Sequence, residues 1–200
     1  MIHTAHSLQK AFRYLFPDEV DELQRLANTL PPNPVVVNIG AGAGTSGLTF
    51  LESRPDLYLI TIDITKDPSP LGCLSGEELI LRQSGYWNQD RNEQIHGDSK
   101  VVGEHWKRGK VDMVFVDGAH EYEQCYADIS VWSLNIKSDG LIAIHDYKKD
   151  DVFSRGDLPE NVPHPKAWLG VDKAVNFLCI DKLKLEQVSL VDSLITFRIK

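Results

Sequence analysis

The chain has 200 residues, a mass of 22.5 kDa and a formal net charge of −8, from 21 Lys and Arg against 29 Asp and Glu. With 42% hydrophobic and 25% charged residues it is too apolar for a disordered chain. Its length suits one domain that buries enough surface to fold without disulfides or a structural metal. The acid excess argues against a nucleic-acid partner, whose phosphates call for clustered Lys and Arg.

Cys73, Cys125 and Cys179 are far apart and odd in number, with neither a CxxC pair nor zinc spacing, and read as reduced buried thiols. The first residues, MIHTAHSLQKAFRYLF, contain no apolar core of signal-peptide length. No segment reaches the roughly 18 apolar residues of a membrane span. A soluble, cytoplasmic protein with no membrane partner is expected.

Leu8, Ala11, Phe12, Leu15 and Phe16 share one face at helical spacing, as do Val20, Leu23, Leu26, Ala27 and Leu30. Pro17 separates these two helices, and Pro31, Pro32 and Pro34 end the second. Residues 1–34 therefore read as a helical cap before a domain spanning 35–200, and Leu8–Leu30 could supply an apolar face for a homodimer. Short, continuous, β-branched runs follow at Val35–Ile39, Leu57–Ile62, Val111–Val116 and Leu141–Ile144, the pattern of parallel strands buried on both faces. Asn92–His96 is a weaker strand candidate. Tyr122, Cys125, Tyr126, Ile129, Trp132 and Ile136 trace a helix that Ser138-Asp139-Gly140 is expected to close. Strand–helix alternation predicts a doubly wound α/β sheet. Ala167–Ile180 reads as a helix, and Leu183–Val191 with Leu194–Lys200 as an antiparallel hairpin turning at Asp192-Ser193. Thr65–Gly76 and Lys148–Lys166, both following strands, should rim a site at the strands' carboxyl ends.

Val35 to Gly47 reads as a strand, a glycine-rich turn and a helix start, where bare backbone and free N–H groups can meet a ligand. Two registers overlap. Gly42-Ala43-Gly44-Thr45-Ser46-Gly47 matches the dinucleotide pattern GxGxxG, with Asp63 placed 21 residues beyond Gly42. Gly40-x-Gly42-x-Gly44 is the alternative. Asp63 suits a ribose diol in either case. Later strands also end in polar groups: Gly97-Asp98-Ser99, then Asp117-Gly118-Ala119-His120, then His145-Asp146-Tyr147. All fall at the edge where doubly wound sheets bind ligands.

Together these motifs resemble the class I S-adenosylmethionine-dependent methyltransferases, in the group named methyltransferase family 24. That group often carries a "vDlvfiDGxHxY" strand, here Val111–Tyr122, and a "GGxxxxHDY" strand, here ending at His145-Asp146-Tyr147. Gly170-Val171-Asp172-Lys173-Ala174-Val175 also looks like the group. Its first motif has an acid two residues before the first glycine, where this chain has Asn38. The resemblance covers about Val35 to Lys200. It implies a three-layer α/β/α Rossmann-like fold with a seven-stranded sheet and a C-terminal antiparallel hairpin. It implies that Asn38, Gly40, Ala41, Gly42 and Gly44 form the turn under the methionine part and ribose of S-adenosylmethionine. Asp63 and Ile64 would lie at the ribose, Asp98 and Ser99 near the adenine, and Asp117 near the sulfonium.

Methyl transfer from a sulfonium is an in-line displacement that needs an aligned nucleophile and, for a hydroxyl, a base. His120 or His145 could be that base. Cation-dependent relatives place acids at the ends of the same two strands, so Asp117, His145 and Asp146 could form a site for Mg²⁺ or Mn²⁺ that polarises an acceptor hydroxyl. Tyr86, Trp87, Tyr147, Phe153 and Trp168 could line an acceptor pocket. Glu104, His105 and Trp106 read as packing or solvated surface. The expectation is methyl transfer to a small-molecule acceptor, most simply at oxygen. Two other readings stay open: a nicotinamide-dependent oxidoreductase using the overlapping GxGxxG, although no Tyr-x-x-x-Lys pair is evident, and a non-catalytic cofactor-binding domain, for which Asn38 is the support.

Overall fold

The computed structural model describes residues 3–67, 72–148 and 169–200. Two helices, α1 (Ala5–Phe12) and α2 (Pro17–Thr29), precede β1 (Val35–Ile39), α3 (Thr45–Ser53), β2 (Tyr58–Asp63), α4 (Leu74–Gln83), β3 (Asn92–His96), α5 (Ser99–Glu104), β4 (Val111–Val116), α6 (Tyr122–Trp132) and β5 (Ile136–Ile144). The chain then continues through α7 (Leu169–Val175), a π-helical segment (Asn176–Lys182) and the hairpin β6 (Glu186–Val191) and β7 (Leu194–Arg198). The seven strands form one sheet in the order β3-β2-β1-β4-β5-β7-β6. Only the two pairings made by β7 are antiparallel.

The unbroken apolar runs are explained by a core on each face. On one face Val37, Ile60, Val114 and Ile142 pack against Cys125, Ile129 and Trp132 of α6 and Val171, Ala174 and Val175 of α7. On the other, Val36, Leu59, Met113 and Phe115 pack against α1, α2 and α3 through Leu8, Leu23, Leu26, Leu48 and Leu51. Most of the apolar stripe from Leu8 to Leu30 packs within the chain, while Ala11 and Phe12 stay exposed.

Three expectations shift in detail. Leu15 is buried in the turn between helices, and Pro17 is the first residue of α2, where its missing N–H costs nothing. Ser138-Asp139-Gly140 does not end a helix. Helix α6 stops at Trp132, Ile136 already pairs with Val111 in the sheet, and the register then shifts as Asp139 takes φ 65°. The expected helix through Ile180 becomes α7 followed by the π-helical segment. Lys148–Lys166, apart from Lys148, falls outside the described residues.

At the edge opposite the strands' carboxyl ends, buried Asp112 accepts from the Val35 N–H at 2.9 Å and from Lys137 Nζ at 2.8 and 2.9 Å. Asp112→Ala would leave a strand N–H without its acceptor and should destabilise the fold by about 2 kcal/mol. A lower urea midpoint with an unchanged m-value would show it.

Candidate active site

A cleft of about 810 Å³ opens at the carboxyl ends of β1, β2, β4 and β5. The glycine turn forms its floor. Gly40, Gly42 and Gly44 adopt φ of 96°, 49° and 81°, a region only glycine enters at little cost. A side chain at Gly40 would also collide with the carbonyl oxygen of Asp117. The Gly40-x-Gly42-x-Gly44 register therefore describes the turn. Gly47, the last glycine of the other register, already lies inside α3. Asp63 Oδ2 accepts from the Ala41 N–H at 2.8 Å, and its Oδ1 accepts from the Thr65 N–H at 2.7 Å. The turn is thus tied to the carboxylate, which lines the cleft and whose oxygens can each accept a further hydrogen bond.

Asn38 lies beneath this floor, fully buried, and does not line the cleft. In the sheet register it stands beside Thr61, which stands beside Gln94. Asn38 Nδ2 approaches Thr61 Oγ1 at 3.5 Å, and its Oδ1 has no partner. Over this polar row sits Glu77 of α4, fully buried, which accepts from Thr61 Oγ1 at 3.0 Å and from Gln94 Nε2 at 2.7 Å. Its carboxyl occupies the space a side chain at Gly47 would need. A buried acid thus lies one strand away from Asn38, bonded to Thr61 and Gln94. Burial pushes the Glu77 carboxyl up to about 7, against the pull of its hydrogen bonds from Gln94 and Thr61.

At the far end of the cleft, Asp98 caps α5 by accepting from the Val101 N–H at 3.2 Å. Ser99 donates its hydroxyl to Asp128 of α6. Burial raises the Asp128 carboxyl to about 6. Asp128 also lines the cleft, and a sequence reading had no local signal for it, because its partner is 29 residues away.

At the β4–β5 end, Asp117, His120 and Asp146 bring one ligand atom each within 4.8 Å of one another. His120 Nε2 lies 2.7 Å from Asp146 Oδ2. His145, expected in this group, stands behind it. Its Nδ1 donates to Asp117 Oδ1 at 2.9 Å and lies 3.2 Å from Asp146 Oδ1, and its Nε2 donates to Glu19 Oε2 at 3.0 Å. Burial opposes a charge on the ring, but Asp146, Asp117 and Glu19 outweigh it and hold the imidazolium well above its ordinary range. With both nitrogens protonated and bonded, this ring offers no lone pair to a proton or a metal. His120 takes its place in the cluster, three residues past Asp117 on the turn into α6.

Glu19 itself is fully buried and accepts from Ser193 N at 2.9 Å, Ser193 Oγ at 2.7 Å and Phe16 N at 2.7 Å besides His145. His145 and the other partners outweigh burial and lower its pKa.

Of the residues singled out in the sequence, Gly40, Ala41, Gly42, Asp63, Ile64, Asp98, Ser99, Asp117, His120, His145 and Asp146 all line the one cleft, whereas Asn38 and Gly44 support it from below. Among the aromatics, Tyr86 and Trp87 pack against the core and Tyr147 is buried with its hydroxyl on Asn176. Phe153 and Trp168 fall outside the described residues. Among the described residues, Tyr14 lines the cleft, from the turn between α1 and α2.

A sheet in this order with its last hairpin reversed, and a glycine turn facing carboxylates from the neighbouring strands, is the class I methyltransferase architecture. The family model described as "Methyltransferase domain" matches residues 37–147, more than half of the chain, and the chain belongs to that family. No curated protein matches it. Solved structures share the fold at low identity. A Bacillus cereus O-methyltransferase in complex with S-adenosylhomocysteine superposes with a TM-score of 0.68 at 14% identity, over 98% of this chain and 89% of that one. A Podospora anserina methyltransferase bound to the same product gives 0.69 at 19%, over 100% and 89%. The Streptomyces achromogenes O-methyltransferase of tomaymycin synthesis, in complex with S-adenosylmethionine, gives 0.68 at 17%, over 98% and 86%.

The buried acid under the glycine turn has a signature in stability. Its folded value of about 7 lies above its ordinary 4.5, so the folded state holds the proton more tightly. Stability should then fall as pH rises from 4.5 to 7 and level off above, by on the order of 3 kcal/mol for this group alone. Glu77→Gln should lack that loss. The difference between the two proteins, followed by urea unfolding at pH 5 and pH 8, checks it.

Proposed function

We propose that this methyltransferase takes its methyl group from S-adenosylmethionine and delivers it to an oxygen of a small-molecule acceptor, with a divalent cation at Asp117, His120 and Asp146. The observation that carries this reading is a single cleft holding, in sequence, a glycine-rich turn, a strand-end carboxylate and a carboxylate–imidazole cluster. Asp63 suits the two ribose hydroxyls, the Gly40–Gly42 backbone suits the methionine part, and Asp98 suits the adenine amino group. Asp117 would then lie at the sulfonium end, its carboxylate suited to the cation that becomes a neutral thioether when the methyl group leaves.

In-line displacement requires the acceptor oxygen behind the methyl carbon and a route for its proton. Without a cation, His120 would be the imidazole placed to take that proton, since both nitrogens of His145 are bonded; with a cation bound, the proton of the acidified hydroxyl would leave to solvent. Two carboxylates and one imidazole suit Mn²⁺ better than Mg²⁺, which prefers all-oxygen ligands. A cation held there would lower the pKa of a coordinated hydroxyl, and His120 would then serve as ligand rather than base.

No helix among the described residues is long and apolar enough to cross a membrane. The buried thiols Cys125 and Cys179, both pushed up to about 12 by burial, suit a reducing cytoplasm.

Thermal unfolding with added ligand tests the cofactor: S-adenosylhomocysteine should raise the melting temperature and NADH should not. A response to NADH alone would overturn the assignment. Calorimetric titration with Mn²⁺ tests the cation, with Asp146→Asn expected to weaken binding at least about tenfold. If neither Mn²⁺ nor Mg²⁺ binds the native protein, the cation is discarded and the cofactor assignment stands on its own result.

A further inference from the structure

The aromatic wall of the cleft comes from outside the region matched by the family model. Tyr14 sits in the turn between α1 and α2 and lines the cleft, and its ring reaches over the glycine turn. A Cβ built on Gly42 would lie 3.9 Å from Tyr14 Cδ2, which is van der Waals contact. An aromatic at this place could simply be a surface ring, stacked as it is on Phe12 with centroids 6.2 Å apart and planes 7° apart.

The backbone on either side argues for more. Leu15, the next residue, is 2% exposed and belongs to the core. Its carbonyl accepts from Gln9 Nε2 at 2.9 Å, and the Phe16 N–H donates to Glu19 at 2.7 Å. Glu19 is in turn bonded to His145 beside the Asp117–Asp146 cluster. Before Tyr14, the Arg13 N–H donates to the Gln9 carbonyl at 2.7 Å, so the turn is hydrogen-bonded on both flanks and fixed to the same strand end that closes the site. Tyr14 is held against a glycine turn while 37% of it stays open to the cleft and solvent. A ring so fixed, beside backbone left bare for a ligand, is preorganised to cover that ligand at small entropic cost.

We infer that Tyr14 is a cofactor-contacting residue, a wall that closes over S-adenosylmethionine on the glycine turn. The inference rests on the cofactor reading above. The contact is made by the ring face and edge, so the hydroxyl contributes little to it.

Calorimetric titration with S-adenosylhomocysteine of the native protein, Tyr14→Ala and Tyr14→Phe tests this. Tyr14→Ala should weaken binding about tenfold, on the scale of one buried aromatic contact, and Tyr14→Phe should stay within about threefold of native. Both should keep the native melting temperature without ligand, because the side chain is only part-buried. Hydroxyl-radical footprinting of the native protein should show Tyr14 protected when S-adenosylhomocysteine is added. Tyr14→Ala binding as native, or an unprotected Tyr14 in a protein that binds, overturns the inference and leaves the cofactor assignment intact. Failure of the native protein to bind removes both.

Discussion

A carboxylate with no solvent exposure is costly to keep, and Glu19 is kept by four hydrogen bonds, one of them from a cationic ring. Those partners come from three places in the chain: the turn before α2, the end of β5 and the corner of the β6–β7 hairpin. Once the acid is buried, none of the three can shift without leaving a charge or an N–H unpaired in the interior. The seating of α2 on the sheet, the direction of the His145 ring and the position of the hairpin turn are therefore one condition. The acids at the cleft inherit it, because the other face of the same imidazole holds Asp117 and Asp146.

This is why the N-terminal helices behave as part of the catalytic unit. Their apolar faces supply a full layer of core, with Leu8, Leu23 and Leu26 packed with Phe115 and Met113 of the central strand. Among their polar groups, the Glu19 carboxylate reaches the site from behind. A helical pair that shielded only the sheet would need the first and not the second.

What the sequence made legible follows the range of the interactions. The strands could be read because burial on both faces leaves an unbroken apolar run, as at Val111–Val116. The glycine turn and Asp63 could be read because the turn conformation, and a strand-end carboxylate that accepts from the Ala41 N–H, impose residue types at short spacing. Glu19 and His145 could not be joined, because 126 residues separate them and each alone looks like a helix-start acid and a loop histidine. The choice between His120 and His145 depended on that unseen partner. Glu77 was hidden for a similar reason: its meaning lies in Asn38, Thr61 and Gln94 on three strands, and in the missing side chain of Gly47. Ser138-Asp139-Gly140 misled because the residues that end a helix are also those that permit a strand to change register.

Asp146 carries a demand that has nothing to do with its charge. Its backbone sits at φ 63°, a left-handed conformation that glycine, asparagine and aspartate tolerate and most other residues resist by about 1 kcal/mol or more. Of those three, only aspartate brings a negative group to the cluster. Glutamate could restore the charge but would meet the backbone penalty and a longer reach. Asparagine or glycine would satisfy the backbone here but would take from the buried His145 ring one of the carboxylates that hold its charge. Conformation and charge thus select aspartate together, the first from the turn after β5 and the second from the ring beside it.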